Sequence, residues 1–445
     1  MKSKREGKVF FGWWMVMALF VILFNAAGMG FFVFPVFIGP LQAEFGWSMT
    51  QISAGVAIFA IMMGIASPLV GIMVARFGVR KTMLIAAMLV SLSNLGLAAM
   101  RNLWTLYAVL GVSGFLLVGL TFLPAQTAIT NWFDKYRGRA LALAVVGPNF
   151  GGFLLPPFNE FLIRQWGWRL TWVFASAVLW VVVIPLVAVF VRSRPSEMGL
   201  SVDGIRSGEE GGKATAAGPS GLPVKRAVTS WTFALLAVTF MLQFMGVSAL
   251  NFHLVPFAEQ QAGFTSQQAA FYYGLTIGLS MLGNLLGGWL ADRMRPQIVL
   301  ALTGLLMALG PAALEIFIIR LGLRDVHLLL LHAIPYGIGL GANGIVAPVL
   351  IGRCFGELNF AKISGIMGLA YAFCVLVGIP GSGYIFDRTG SYEIVIVAAA
   401  AGCLISVALS LLVRPARYHA EFVREDRMEE SAAIAPLRAG GGSTG

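Results

Sequence analysis

Several amide and hydroxyl side chains lie inside long apolar segments of this 445-residue sequence. Ser280 and Asn284 are four residues apart and Tyr336 and Asn343 are seven apart, so each pair shares one face of a regular helix. Such groups can orient a neutral or singly charged organic solute. They can equally hydrogen-bond neighbouring helices within a membrane, and both interpretations stay open. Asn25, Asn149 and Tyr371 are further candidates, with packing favoured for Asn149 and Tyr371.

Ionisable side chains in apolar segments are costly and point to function by default. His253 is a candidate for carrying a proton, because histidine titrates near physiological pH; the alternative is a hydrogen-bonded histidine at the membrane interface. Glu315 is a second proton-coupling candidate, although Arg320 five residues later predicts a structural ion pair. Glu160 and Arg164 have the i, i+4 spacing of another structural pair.

The elements that must position these groups are membrane helices. The chain is 58% hydrophobic and 11% charged, whereas soluble domains carry about 25% charged residues. This composition excludes a soluble enzyme and predicts an all-α integral membrane protein with twelve transmembrane helices. The apolar runs place the helices near 11–38, 51–75, 82–100, 104–131, 139–163, 170–191, 231–257, 269–291, 297–319, 327–352, 362–386 and 392–413.

The basic residues are distributed unevenly about these helices. The side of the bilayer on which the N-terminus is predicted to lie carries twenty-five of the 31 Lys and Arg residues, and the other side carries six. By the positive-inside rule, both termini and the linker are cytoplasmic, while segments near Glu44, Glu259 and Arg324 face outside. The prediction is a multi-pass protein of the cell (inner) membrane. The net charge of +11 is thereby explained without nucleic acid as a partner.

The chain divides into two halves around one long polar interval. Residues 1–191 form a six-helix half, 192–230 a Gly-, Ser- and Pro-rich cytoplasmic linker with little reason to pack, 231–413 a second six-helix half and 414–445 a largely disordered cytoplasmic tail. Gly71 and Gly288 begin similar loops 217 residues apart, after the second and eighth helices. This repeat predicts two pseudo-symmetric halves with a solute site between them.

Those two loops resemble the G-x-x-x-D-R-x-G-R-[KR] signature of the major facilitator superfamily. The second copy keeps its acidic residue, Asp292, whereas Ala75 stands at that place in the first copy. The resemblance implies a loop that latches helices together through a carboxylate at a helix end, so only the second latch is complete. The latch residues it implies are Arg76, Arg80, Asp292 and Arg293.

More specific motifs resemble the bacterial monocarboxylate transporter family within that superfamily. The start of the first helix, Phe11-Gly12-Trp13-Trp14, is similar to the glycine-tryptophan start in that family. The segment from Asn131 to Ala142, N-W-F-D-K-Y-R-G-R-A-L-A, resembles its loop between helices four and five. Arg194-Pro195-Ser196-Glu197-Met198-Gly199-Leu200 and His253-Leu254-Val255-Pro256-Phe257 resemble the ends of its helices six and seven.

The charged positions of that family are absent here. Its proton-coupled members carry a lysine in helix one and an aspartate and an arginine in helix eight, and the matching positions are Phe32, Ser280 and Asn284. If these three positions face the cavity, then Asn25, seven residues before Phe32, faces it too. A carboxylate would then be held by helix dipoles and neutral donors rather than by an arginine fork.

The sequence therefore predicts a secondary transporter, and not an enzyme, for a small organic solute that carries a carboxylate, with a proton as a candidate co-substrate. Gly147-Pro148-Asn149-Phe150-Gly151-Gly152 matches a motif of proton-driven drug antiporters and keeps proton-coupled efflux of amphipathic compounds as the alternative. A membrane sensor without transport is a third class. No cofactor or metal is expected, Cys354, Cys374 and Cys403 are interpreted as small apolar residues, and the protein is expected to be monomeric.

Overall fold

The computed structural model describes residues 10–204, 221–356 and 359–413, and its regular structure is helical. Eleven helical stretches in that part are long and apolar enough to cross a membrane. One of them, Arg137–Phe190, has 54 residues, which would make a straight helix about 80 Å long against a hydrocarbon core of about 30 Å. Gly167 interrupts it with a φ of 79°. Phe158 and Phe174, on either side of the break, bring their ring centroids within 6.1 Å, so this stretch turns back and crosses twice.

The described chain thus contains the twelve predicted crossings, and the all-α fold is confirmed. The first six helices are α1 (Phe11–Ala27, continued by a π-helical turn at Gly28–Phe32 and by Phe34–Phe45), α2 (Met49–Phe77), α3 (Val79–Ala98), α4 (Leu103–Leu117 and Phe122–Trp132), and α5 and α6, the parts of Arg137–Phe190 before and after Gly167. The second six are α7 (Trp231–Pro256), α8 (Ser266–Arg293), α9 (Pro296–Ala313), α10 (Leu329–Phe355), α11 (Phe360–Thr389) and α12 (Glu393–Leu412).

The beginnings of α2 and α8 show the internal symmetry at the level of hydrogen bonds. Ser48 caps α2 in a capping box with Gln51, and Thr265 caps α8 in a capping box with Gln268. In each box the cap side chain accepts from a backbone N–H and the glutamine side chain accepts in return. Both boxes lie 217 residues apart, which is also the spacing of the Gly71 and Gly288 loops.

Glycines allow the closest helix contacts within each half. In the α8–α10 contact, a Cβ added at Gly341 or Gly283 would overlap the carbonyl oxygen of Ser280 or Ile338. In the α1–α5 contact, a Cβ at Gly151 would overlap the carbonyl oxygen of Phe24. Small residues let helix backbones approach in this way throughout membrane proteins. The glycines of the Gly147-Pro148 motif therefore have a packing role, whatever solute is carried.

The ends of the linker pack against the helices, contrary to the expectation from its composition. Trp132 Nε1 donates to the Arg192 carbonyl oxygen at 3.0 Å, and Asp203 accepts hydrogen bonds from the backbone N–H groups of Asp134 and Lys135. On the other side, buried Leu222 donates its N–H to the Phe355 carbonyl oxygen at 2.9 Å. Composition missed these contacts because a few individual hydrogen bonds and one buried apolar side chain make them. Residues 205–220 of the linker and the tail from 414 lie outside the described residues.

We name the two faces of the bundle by their contents. The basic face holds the ends of the helices near Gly78, Phe133, Val191, Trp231 and Phe355, together with most of the described Lys and Arg residues. The opposite face holds Glu44, Gly167, Thr265 and Gly390.

Candidate functional site

The two halves touch each other near the opposite face. The rings of Phe34 on α1 and Phe252 on α7 stack with centroids 6.3 Å apart. Gln260 Nε2 donates to Gln42 Oε1 at 2.8 Å, which adds a polar contact between the halves. Gly152 of α5 is so close to Phe32 of α1 and Ile277 of α8 that a Cβ there would meet both side chains within 3.0 Å.

Towards the basic face, the inner helices become exposed in a graded way. Along one face of α1, exposure falls from 54% at Trp14 and 46% at Met17, through partly exposed Phe20 and Phe24, to buried Gly28. A stripe that faces lipid would be exposed at every depth, because no other helix packs against it. The gradient therefore indicates a cleft that opens at the basic face and narrows with depth.

The matching helix of the second half has the same gradient. On α7, Trp231 is 79% exposed and Val238 is 48% exposed, Met245 is partly exposed, and Phe252 is buried. Since α1 and α7 occupy equivalent places in the two halves, both walls of the cleft open in the same direction. The cleft closes where Phe32, Gly152 and Ile277 meet.

Aromatic rings cover much of the N-terminal wall. The Phe150 ring of α5 lies 6.2 Å from the Phe20 ring and 5.9 Å from the Phe24 ring of α1, centroid to centroid. All three side chains are partly exposed. Asn149, beside Phe150, is partly exposed as well and supplies an amide to this region. The wall can therefore bind an apolar group next to a hydrogen-bonding group.

The predicted polar candidates separate into different environments. Asn284 is partly exposed on α8, one turn from Ser280. Ser280 is buried against α10 and donates its hydroxyl to the Ile277 carbonyl oxygen of its own helix at 2.6 Å. Tyr371 of α11 is 47% exposed, with its ring edge-on to Phe244 at 4.8 Å. Asn284 and Tyr371 are thus accessible side chains, whereas Ser280 is engaged in helix packing.

Two other candidates are buried in the second half. Tyr336 is 1% exposed, donates its hydroxyl to the Val247 carbonyl oxygen at 3.5 Å and stacks on His332. Asn343 is also 1% exposed, and neither its Oδ1 nor its Nδ2 atom has a partner among the described residues. An unpaired buried amide is costly, so Asn343 is a place where a second conformation or a bound molecule would relieve that cost.

Asn25 does not have the relation to Phe32 that regular helix spacing predicts. The π-helical turn at Gly28–Phe32 begins three residues after Asn25 and ends at Phe32 itself. Because i→i+5 hydrogen bonding widens the turn, a separation of seven residues no longer returns to one face. Asn25 is buried at 8% exposure, whereas the ring of Phe32 lies at the contact between the halves.

Neither proton-coupling candidate lies between the halves. His253 Nε2 is 3.0 Å from the Ile379 carbonyl oxygen and Nδ1 is 3.3 Å from the Tyr392 hydroxyl, so both ring nitrogens bind α11 and α12 of the same half. Glu315 pairs with Arg320 Nε at 2.7 Å, as the spacing predicted. Arg320 also pairs with Glu393, which makes a small network at the opposite face.

The other predicted ion pair is not formed. Glu160 is buried at 3% exposure and Arg164 is exposed, and no ion pair joins them within the described part of the chain. Glu160 instead lies within electrostatic range of Glu259 of the other half as well as of Arg164. A second carboxylate, Glu44, is bound by Arg169, at 2.5 Å, and by Trp168 Nε1, at 2.7 Å. The hydrogen bonds that Glu44 accepts, chiefly from the Arg169 guanidinium and also from Trp168, hold the pKa of its carboxyl below the ordinary value.

The predicted latch residues lie at the basic face. The Arg80 guanidinium donates to the Ala188 carbonyl oxygen at the end of α6, and exposed Arg76 lies over the Phe77 ring. Asp292 is exposed and bonds to no residue that the structure describes, while Arg293 stacks on Trp289 at 4.1 Å. The contact expected for Asp292 at the ends of α8 and α11 is therefore not made in this state, and the latch role of Asp292 stays a prediction.

Sequence reasoning missed two notable groups. His332 is fully buried and bonds through Nδ1 to the Tyr272 hydroxyl. It lies in the predicted helix 327–352, so the rule that selected His253 could have found it. Asp387, at the end of α11, binds the first turn of α2 in the other half. A signal for Asp387 was present, since Gly383, Asp387, Arg388 and Gly390 repeat the G-x-x-x-D-R-x-G spacing.

Comparison with known proteins agrees with this architecture. Residues 18–319 match the sequence profile of the Major Facilitator Superfamily. An uncharacterized MFS-type transporter, YcxA of Bacillus subtilis (strain 168), is 28% identical over 415 residues, covering 89% of this chain and 94% of that protein. Monocarboxylate transporter 3 of Rattus norvegicus is 27% identical over 390 residues, covering 86% of this chain and 76% of that protein.

Solved structures show the same fold. A bacterial homologue of the human lysosomal transporter Spinster, in its inward-facing and unoccupied conformation, superposes with a TM-score of 0.67 at 18% identity, over 92% of this chain and 95% of that one. The chain belongs to the Major Facilitator Superfamily of membrane transporters and resembles its monocarboxylate transporter family.

Proposed function

We propose that this protein is a secondary transporter that moves a small organic solute with a carboxylate by alternating access. The observation that carries the proposal is the cleft between the halves, open at the basic face and closed near Phe32, Gly152 and Ile277. Similarity to monocarboxylate transporters supports the carboxylate. The partly exposed rings of Phe20, Phe24 and Phe150 favour a solute with an apolar part as well.

The carboxylate itself would be bound without a fixed positive charge. Ser280 and Asn284 occupy the places of the charged pair that the monocarboxylate transporter resemblance implies, and Asn284 is accessible. Neutral donors bind a carboxylate less tightly than an arginine fork does. We therefore propose a solute held by amide hydrogen bonds and ring contacts together, with His253 and Glu315 as the proposed proton-coupling residues if a proton is carried.

Counterflow in proteoliposomes tests this function. Vesicles preloaded with one candidate solute should accumulate the labelled form of that solute from outside. Aromatic and branched-chain carboxylates should exchange, whereas the matching amines and alcohols should not. Exchange of amines alone would overturn the proposal that the solute carries a carboxylate. Exchange of lipophilic cations, with outward movement driven by a proton gradient, would favour the alternative of drug efflux, which the apolar wall also fits.

We also propose that the basic face is cytoplasmic in the cell membrane, which makes the described state inward-open. Cysteines placed at Glu210 in the linker and at Arg101 on the opposite face test this topology. An impermeant thiol reagent should label Arg101→Cys in intact cells and Glu210→Cys only after lysis. The reverse pattern would overturn the orientation. The native Cys354, Cys374 and Cys403 are buried and give a low background.

A further inference from the structure

The end of α11 binds the beginning of α2 across the two halves. Asp387 Oδ1 accepts from the Met49 N–H at 2.9 Å, and Oδ2 accepts from the Thr50 N–H at 2.8 Å. The Thr50 hydroxyl donates to the same Oδ2 atom. One carboxylate of the second half thus accepts three hydrogen bonds from a single helical turn of the first half.

These donors are ones that α2 cannot satisfy alone. The first N–H groups of any helix lack an intrahelical acceptor and carry the positive end of the helix dipole. Ser48, the cap of α2, accepts only from the Gln51 N–H. The N–H groups of Met49 and Thr50 are left for Asp387. The first turn of α2 is therefore fully capped only while the halves are together at the opposite face.

Close packing accompanies the cap. Gly383 lies one turn before Asp387 on α11, and a Cβ there would be 3.0 Å from Ser53 Oγ and 3.1 Å from the Met49 carbonyl oxygen. Ser53 is fully buried. A residue with a side chain at Gly383 would hold α11 away from α2 and separate the carboxylate from its donors.

The neighbouring contacts between the halves have a different chemistry. The hydrogen bond between Gln42 and Gln260 is neutral, and so is the one from Gln267 Nε2 to the Pro157 carbonyl oxygen. The Glu44 carboxylate is bound by Arg169 and Trp168, which belong to its own half. Among these hydrogen bonds, the charge-assisted ones between the halves are those of Asp387, and charge-assisted hydrogen bonds are about twice as strong as neutral ones.

We propose that Asp387 is the latch of the opposite face. It holds α11 to α2 while the cleft is open at the basic face, and it must release Met49 and Thr50 before the opposite face opens. The segment Gly383–Gly390 has the spacing of the Gly288 loop, whose Asp292 is free in this state, so the molecule has one such carboxylate at each face. The proposal relies on alternating access but not on the identity of the solute.

The experiment measures opening of the opposite face without any solute. Ser53→Cys places a thiol in the sealed contact, and its reaction with a maleimide in nanodiscs reports how often the contact opens. Asp387→Asn in this background should speed labelling about tenfold, which corresponds to about 1.4 kcal/mol. The matched control is Glu44→Gln, which removes the same charge from the same face without breaking a contact between the halves, and it should leave the rate unchanged.

A milder variant keeps the test decisive if Asp387→Asn does not fold into a monodisperse protein. Thr50→Val removes the hydroxyl donor and leaves both N–H groups, so it should speed labelling about threefold, and its effect should shrink when Asp387→Asn is also present. Labelling at the parent rate in Asp387→Asn, or in Thr50→Val where the first variant fails to fold, would overturn the latch. Equal acceleration by Glu44→Gln would overturn it too. Loss of solute transport does not enter this measurement, so failure of the proposed function is separately visible.

Discussion

At the scale of single residues, Asn284 and Tyr336 are both polar side chains within membrane helices, but they differ in exposure to the cleft. Asn284 is partly exposed, whereas Tyr336 is buried and bonded to the Val247 carbonyl oxygen. We expect Asn284→Ala to raise the KM for a transported carboxylate about tenfold, since a hydrogen bond to a charged group contributes about 1.5–3 kcal/mol. Counterflow rates over a range of solute concentrations measure this change.

Tyr336→Phe is the matched comparison. It removes one hydroxyl from the core of the second half, so KM should stay within twofold while the melting temperature falls by about 2 °C. The opposite result, with KM changed by Tyr336→Phe and not by Asn284→Ala, would move the solute site into the core of the second half.

Residue spacing predicted part of this site. It identified polar side chains that lie within the membrane helices. Whether a solute can reach each side chain depends on which residues pack against it, and the local sequence does not encode that packing. Asn25 and Phe32 show the limit, because the π-helical turn between them changed their relative direction. Asp387 shows the reverse case, where the motif was present and its partner, Met49, is 338 residues away.

At the scale of helices, the α8–α10 contact depends on glycine. A Cβ at Gly341 would overlap the Ser280 carbonyl oxygen, so Gly341→Ala must push the two helices apart. We expect a loss of about 1–3 kcal/mol of stability, seen as a lower melting temperature of the purified protein.

Gly365→Ala, on α11, is the control, because nothing lies within 4 Å of a Cβ added there. It should leave the melting temperature unchanged or raise it slightly, since alanine favours a helix over glycine by about 1 kcal/mol. Equal destabilisation by both substitutions would mean that helix separation is not the cause.

Apolar runs and their breakers predicted most helix positions within a few residues, because a membrane helix must be long and apolar. The predicted break between the helices at 139–163 and 170–191 is present at Gly167, where one residue in a positive-φ conformation is enough to turn the chain. The prediction was too short at α1, which continues past its predicted end, to Phe45, through the π-helical turn.

At the scale of the whole molecule, the two faces should respond oppositely to loss of a carboxylate. Asp292 is free here, and we expect it to bind only when the basic face closes. Asp292→Asn should therefore slow Ser53→Cys labelling by about threefold, because it favours the state that is closed at the opposite face. Faster labelling would contradict this assignment, and a large change in solute affinity would indicate direct contact with the solute.

The anchored ends of the linker have a consequence for the covalent connection between the halves. Asp203 is bound to the loop at Asp134 and Lys135, and Leu222 is bound to Phe355. Sixteen residues, 205–220, separate the described ends, and a chain of that length reaches at most about 55 Å, so the covalent connection itself restrains the halves only beyond that distance. It acts instead by keeping each half at a high effective concentration near the other. In physical terms the transporter resembles a dimer whose two subunits are joined in one chain. The association between the facing surfaces of the two halves then controls its cycle.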